Sequence, residues 1–367
     1  MSMLVDLLRN PAPKLIHKLV GPAYKSQVEV SVILPVYNQA GPIQEVIRRV
    51  TSCLGSKFEL ILIDDASTDS TIDQILESLH ELSKVTNLVS ARIFKNSFSR
   101  FETYCDNFGV NTATGRFCLE IQADMLIFDI NFDMRLIAAL ESNPGLALLS
   151  GRGVEPLLPI IDHYKSKLGT DRIETKSLFK HLLLRIRSHL KIIFSDMESK
   201  TLLTSPIESR AYDEGAYLHP PKEDFVESGQ AGRNGNELNS LLKSSFPKNL
   251  IYIGETVMRG PLFFNLETFR KIGNFDSQRF FQGFDDHDFC ARAMCLGYQV
   301  GYCPINFVSP LHLGSTRKRR SVSTEILIFI NILRIRKNYL TSRLNSPDIL
   351  TFLRKSKNEI RSFSQYL

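Results

Sequence analysis

From residue 28 to residue 122 the chain alternates short, β-branched apolar runs with longer segments of helical spacing, and few folds accommodate that rhythm. "VEVSVILPVY" (28–37), "FELILID" (58–64), "NLVSARIF" (87–94) and "RFCLEIQ" (116–122) read as strands. Between them, "PIQEVIRRVTSCL" (42–54) and "STIDQILESLHELS" (70–83) carry apolar residues at helical spacing. The first has Pro42 near its start, where a missing N–H costs nothing. A further helix is expected between the third and fourth strands. Strands separated by helices imply parallel pairing, because a parallel neighbour needs a crossover of a dozen residues or more. The expected class is α/β, with a Rossmann-like, mostly parallel sheet flanked by helices. In such sheets ligands bind beyond the carboxyl ends of the strands.

Those ends hold the unusual residues. The first strand closes on "PVYN" (35–38), the second on "DDAST" (64–68) and the fourth on "QADM" (122–125). Tyr37 is suited to stacking on a base, an Asp to accepting a base N–H, and Asp124 to holding a divalent cation. Each piece also has a plainer use, since "DDAST" is a helix N-cap signal and "PVYN" a turn signal. There is no GxGxxG after the first strand and no GxxxxGK[ST], so a dinucleotide fold or P-loop enzyme is disfavoured. Phosphates then fall to a metal and to basic side chains.

At 367 residues the chain fits one elaborated α/β domain or two modest ones. Residues 1–27 are expected to form an N-terminal arm, either docked on the fold or lying as an amphipathic surface anchor. The strand–helix rhythm occupies 28–150. It is lost over 151–248, an inserted subdomain rich in Gly, Ser, His and mixed charge, where "KHLLLRIRSHLKIIF" (180–194) reads as an amphipathic helix. A strand-like segment and a turn, "IGNFD", mark the half spanning 249–316, and 317–367 reads as a basic loop followed by a C-terminal helical extension. The net charge of +6 is mild, but "STRKRRS" (315–321) and "RIRKNYLTSR" (334–343) gather it late. That suits an anionic ligand, an anionic membrane surface or a solvated face, and no nucleic-acid partner is expected. No run reaches the roughly 18 apolar residues of a membrane span. Six cysteines without a CxxC pair suggest reduced, packed thiols and a cytoplasmic protein.

"GFDDHDFCARA" (283–293) places three aspartates ahead of a helical run. Asp288 can pair with Arg292 at i,i+4. Helical spacing puts Asp286 on one face with Phe289, Cys290 and Ala293. The group is either a solvated helix cap or a set of carboxylates kept for chemistry. His312 lies in "SPLHLGST" (309–316), and a single His is more often structural than a ligand.

Taken in order, "VSVILPVYN", "LILIDDASTDST", "ATGRFCLEIQADM", "IGNFD", "GFDDHDFCARAMCLGYQVGYCP" and "LHLGST" resemble the family-2 glycosyltransferases of GT-A fold. These are inverting enzymes that use nucleotide-diphosphate sugars. The resemblance spans most of 28–316 apart from the insertion. It implies that 28–150 binds the nucleotide sugar, that 249–316 is the catalytic and acceptor half, and that 151–248 holds acceptor determinants. By resemblance, Pro35, Tyr37, Asn38 and Asp65 surround the base and ribose, with Asp64 adjacent. Asp124 is the last acid of the metal motif, Gln122 stands where that motif has its first acid, and His312 is a further metal ligand. Asp286 is the catalytic base, with Asp285 beside it. Where the family often has Arg-Asn this chain has Asp106-Asn107, so the donor contact passes to Arg100 or to the cluster that begins at Arg317. The implied cofactor is Mn²⁺ or Mg²⁺, and the implied partners are a nucleotide sugar, UDP-linked or related, and a glycan or other hydroxyl acceptor, with possible peripheral membrane contact. A sugar-phosphate nucleotidyltransferase is the alternative enzyme, but it would carry a Gly-rich, Arg-containing loop where this chain has "PVYNQAGP". A catalytically silent nucleotide-binding scaffold is the third possibility.

Overall fold

The computed structural model describes residues 11–151, 154–155, 248–257, 259–280, 283–308, 359–364 and the single positions 327, 330, 331, 334 and 335. The expected helix at 180–194, the apolar run at 326–333 for the most part, His312 and Arg317 lie outside the described residues.

The first half runs β1 (Lys14–Val20), β2 (Val30–Val36), α1 (Ile43–Cys53), β3 (Phe58–Asp64), α2 (Thr71–Glu77), α3 (Leu79–Leu82), β4 (Leu88–Lys95), α4 (Glu102–Thr112), β5 (Phe117–Glu120), β6 (Leu126–Ile127), α5 (Phe132–Glu141), β7 (Leu146–Ser150) and β8 (Val154–Glu155). The second half contributes β9 (Leu250–Gly254), β10 (Thr256–Val257), β11 (Leu262–Asn265), α6 (Leu266–Ile272), α7 (Asp285–Cys295), β12 (Gln299–Tyr302), β13 (Phe307–Val308) and β14 (Ile360–Ser362).

Ten of these strands form one sheet in the order β1-β4-β3-β2-β5-β11-β7-β12-β9-β14. β4, β3, β2 and β5 are mutually parallel, as the strand–helix rhythm requires. Every residue of β2 and β3 is buried, which is why both read as unbroken apolar runs. The alternation along them feeds two cores. Val32, Leu34, Leu60 and Leu62 face one side, with Val46, Ile47 and Val50 of α1 and Leu136 and Ala139 of α5. Ile33, Ile61 and Ile63 face the other, with Cys105 and Val110 of α4, Phe269 of α6 and Phe289 of α7. On that second side Phe269 stacks on Phe264 at 4.3 Å and on Phe289 at 4.4 Å between ring centroids, clamping α6 and α7 to β11. Gly109 lets α4 sit directly on β2, because a Cβ there would lie 2.4 Å from Ile33 Cγ2.

Two features depart from a simple doubly wound sheet. β11 enters antiparallel between β5 and β7, so the two halves of the chain share one sheet. Residues 14–20 of the N-terminal segment form an edge strand antiparallel to β4. All six thiols are free. Among the described residues, no helix is long and apolar enough to cross a membrane.

Candidate active site

The carboxyl ends of β2, β3 and β5 lie side by side and form the floor of the site. Pro35 is buried in β2 opposite Ile63. Tyr37 follows, half-buried. Asn38 takes a left-handed conformation, φ 49°, its backbone N–H donating to Ser67 Oγ and its Oδ1 accepting from the Thr68 N–H. This double bond ties the two strand ends together. Asp64 is buried and accepts from the Ser67 N–H, and burial lifts its carboxyl above the ordinary value.

Asp65, expected beside the base and ribose, is already engaged within the protein. Its two oxygens accept four hydrogen bonds, from Asn96 Nδ2 (2.8 Å), Ser99 Oγ (2.6 Å), the Arg100 N–H (2.7 Å) and the Phe101 N–H (2.9 Å). The carboxylate therefore organises the 96–101 loop, in which Phe101 is held at φ 67°. Arg100, on that loop, lies with its guanidinium 3.6 Å from the centroid of the Tyr104 ring.

Beyond β5, Gln122 and Asp124 sit at the strand end. Asp124 is 7% exposed, and Gln122 donates Nε2 to Glu102 Oε1 at 2.9 Å. β6 immediately follows and pairs with β13, Val308 opposite Leu126. Val308 is thereby paired with a residue two positions after Asp124.

The aspartate stretch opens α7 after Phe284, which is left-handed at φ 67°. Asp285 is the deeply buried member at 2% exposure, and its Oδ2 accepts from Arg259 at 2.5 Å and from Thr103 Oγ1 at 3.2 Å. Asp286 is the more accessible: its side chain keeps 16% exposure, and its Oδ1 meets both the backbone N–H and the ring Nδ1 of His287 at 2.8 Å. Burial pushes Asp285 up to about 6, against the pull of Arg259. Burial would also raise Asp286, but the charge and hydrogen bonds of His287, with Arg259, bring its carboxyl below the ordinary value.

Asp288, expected to pair with Arg292, is 3% exposed. It holds Arg292 Nε at 2.8 Å, and the same guanidinium donates to the carbonyls of Ile272, Gly273 and Asn274. The pair closes the C-terminus of α6.

Arg259 was not apparent in the sequence as a site residue. It is buried and meets four acids: Asp285, Asp106 through an ion pair with NH2, Glu120 at 3.4 Å and Glu102 at 3.7 Å. Glu120 is lifted to about 7, chiefly by burial, with Arg259 opposing. Glu102, Asp106 and Glu120 offer oxygens within 4.8 Å of one another, a grouping able to hold a metal, but Arg259 already supplies a cation there. A clue existed in Glu102 and Asp106, an i,i+4 pair on one helix face calling for a counter-charge.

Residues 31–155 match the family model of glycosyl transferase family 2, which takes in all three strand ends and the Gln122–Asp124 segment. Over this segment, about a third of the chain, the sequence is similar to glycosyl transferase family 2. Solved structures similar to this chain include Staphylococcus aureus TarS residues 1–349 in complex with UDP-GlcNAc. That match has 13% identity and a TM-score of 0.47, over 89% of this chain and 71% of that one. The mannosyltransferase PcManGT of Pyrobaculum calidifontis, in complex with GDP-Man and Mn²⁺, matches at 15% identity and a TM-score of 0.45, over 92% of this chain and 76% of that one. GalNAc-T7 with UDP, GalNAc and Mn²⁺ matches at 12% identity and a TM-score of 0.45, over 78% of this chain and 44% of that one.

Proposed function

We propose that this protein is an inverting family 2 glycosyltransferase that moves a sugar from a UDP-linked or related nucleotide-diphosphate sugar to a hydroxyl of a glycan or other acceptor, with Mn²⁺ or Mg²⁺ as cofactor. The observation that carries it is the junction of two parts of the chain. The strand ends with Tyr37, Asn38, Asp64 and Gln122–Asp124 are joined, through Glu102 and Arg259, to the first turn of α7 with its aspartates. The family match supports transfer chemistry, and the neighbours' ligands suggest the donor class.

On this reading Tyr37 stacks on the base, Asn38 and Asp64 shape the nucleoside pocket together with Pro35, and Asp65 acts through the 96–101 loop. The donor set at the end of β5, a carboxylate from Asp124 and an amide oxygen from Gln122, is all hard oxygen, which fits Mn²⁺ or Mg²⁺. His312 would complete it and Arg317 would meet the diphosphate. The cation, when bound, offsets the charge that develops on the leaving diphosphate. Asp286 takes the proton from the acceptor hydroxyl as its oxygen bonds to the anomeric carbon on the face opposite the leaving group, and the sugar–phosphate C–O bond breaks with its electrons on the nucleoside diphosphate. Its carboxyl, held below the ordinary value, is ionised at neutral pH. Residues 151–248 carry acceptor choice. The basic segments after 315, together with the exposed Leu15, Ile16 and Val20 of β1, suit contact with a membrane surface from the cytoplasmic side.

The test is a panel of nucleotide sugars incubated with Mn²⁺, with and without chelator. Slow, chelator-sensitive release of nucleoside diphosphate from one donor is expected. Binding with no hydrolysis indicates a silent scaffold, and formation of nucleotide sugar from NTP and sugar phosphate indicates a nucleotidyltransferase. Either result overturns the proposal.

A further inference from the structure

Four buried or half-buried carboxylates converge on one guanidinium, and they come from α4, β5 and α7, segments up to 183 positions apart in sequence between Glu102 and Asp285. We propose that Arg259 is a positioning residue whose guanidinium fixes the first turn of α7, and with it the Asp286 carboxylate, against the donor-side ends of α4 and β5. This rests on the proposed transferase function and names how its two halves are held in register.

The geometry calls for Arg rather than Lys. NH1 serves Asp285 and lies 3.4 Å from Thr103 Oγ1, NH2 serves Asp106 and Glu120, and the guanidinium lies 5.1 Å from the centroid of the Phe275 ring. A planar fork reaches acids on two sides at once, whereas an ammonium is a point charge on a flexible stem. The outer end of the network is Gln122, whose amide N–H is donated to Glu102. A carboxylate at 122 has no proton to donate at neutral pH and would add a fifth acid beside one cation. Gln122 is therefore matched to this cluster, and an acid placed there would repel Glu102.

The experiment uses the full chain and reads backbone hydrogen exchange over 285–290, with α1 (43–53) as internal reference, beside UDP affinity in Mn²⁺ and steady-state turnover of the hydrolysed donor. For Arg259→Lys, exchange over 285–290 is expected to quicken at least tenfold with α1 unchanged. UDP affinity and donor KM should stay within about threefold, and kcat should fall roughly 10–100-fold, the scale of an ångström-sized misplacement. Unchanged exchange, unchanged kcat, or a collapse of UDP affinity each overturns the proposal, the last making Arg259 a donor contact. Should Arg259→Lys fail to fold, Gln122→Asp decides: quickened exchange over 285–290 that Glu102→Gln reverses is expected, and no quickening or no reversal overturns. If the wild-type chain hydrolyses no donor, the function proposed above falls while the exchange measurement still judges Arg259.

Discussion

Asp65→Asn separates a ligand-contacting acid from one that builds the pocket wall. In the native site two oxygens serve four donors, and two of those donors are the backbone N–H groups of Arg100 and Phe101. An asparagine keeps one oxygen, enough for two donors, and turns an NH2 towards the other two. The Ser99 hydroxyl can rotate to accept from that NH2, but a backbone N–H cannot. At least one part-buried donor is left facing another donor, and the remaining bonds lose the strength that the charge gave them. Hydrogen bonds to charged groups contribute about 1.5–3 kcal/mol each, so a net loss of about 2–3 kcal/mol is expected. The chain has no tryptophan, so far-UV circular dichroism in urea is the suitable readout. With a slope near ~3 kcal/mol/M, the midpoint should fall by roughly 0.7–1 M. UDP affinity should weaken as well, since the 96–101 loop loses its anchor. A midpoint shift below about 0.15 M, with UDP affinity lost all the same, would refute this account and return Asp65 to direct base contact.

Other outcomes follow from the same geometry. Asp286→Asn should lower transfer by roughly 10²–10⁴-fold with donor affinity little changed. Asp288→Asn should leave the rate within a few-fold while costing about 1.5–3 kcal/mol, because Arg292 loses its buried partner beside the three carbonyls it caps. Comparing rate and urea midpoint for the two variants checks both. Asp285 and Glu120 are lifted by burial from 3.8 and 4.5 to about 6 and about 7. Folding therefore binds protons at these groups, and their contribution is complete below about pH 4 and lost as pH rises through 6 to 7. The melting temperature of wild type relative to an Asp285→Asn, Glu120→Gln double variant should accordingly decline between pH 5 and 8, and a rise would contradict the assignment. Gly109→Ala should destabilise by about 1–3 kcal/mol, as its methyl would press on Ile33 Cγ2, and a neutral effect in denaturant would show that α4 can lift from β2.

The parallel half of the sheet was legible because strands buried on both faces leave unbroken apolar runs, and the strand ends followed from that topology. β11 was not: "LFFN" is too short to signal direction, and its place between β5 and β7 is a tertiary fact. In the aspartate stretch, helical spacing ranked Asp286 as the inward residue. Asp285 goes deeper because Arg259 is there to receive it, and spacing carries no information about a partner 26 positions away. Asp65 shows the same limit, since its place at a strand end does not reveal the four donors of the 96–101 loop that it holds. Asp288 was paired correctly with Arg292, but its burial depended on the carbonyls of a different helix.

The antiparallel entry of β11 bears on how the chain emerges from the ribosome. β5 and β7 are made early, yet the strand that joins them starts at Leu262, 112 residues after Ser150. At roughly 5–20 residues per second, two apolar strand borders stand open for about 6–22 s during synthesis. Arg259 and Asp285 arrive with or after that strand, so β2, β3, β4 and β5 can pair with one another before the Arg259 cluster exists. Conditions that slow translation through 151–261 should lower the soluble yield more than a comparable slowing before residue 120.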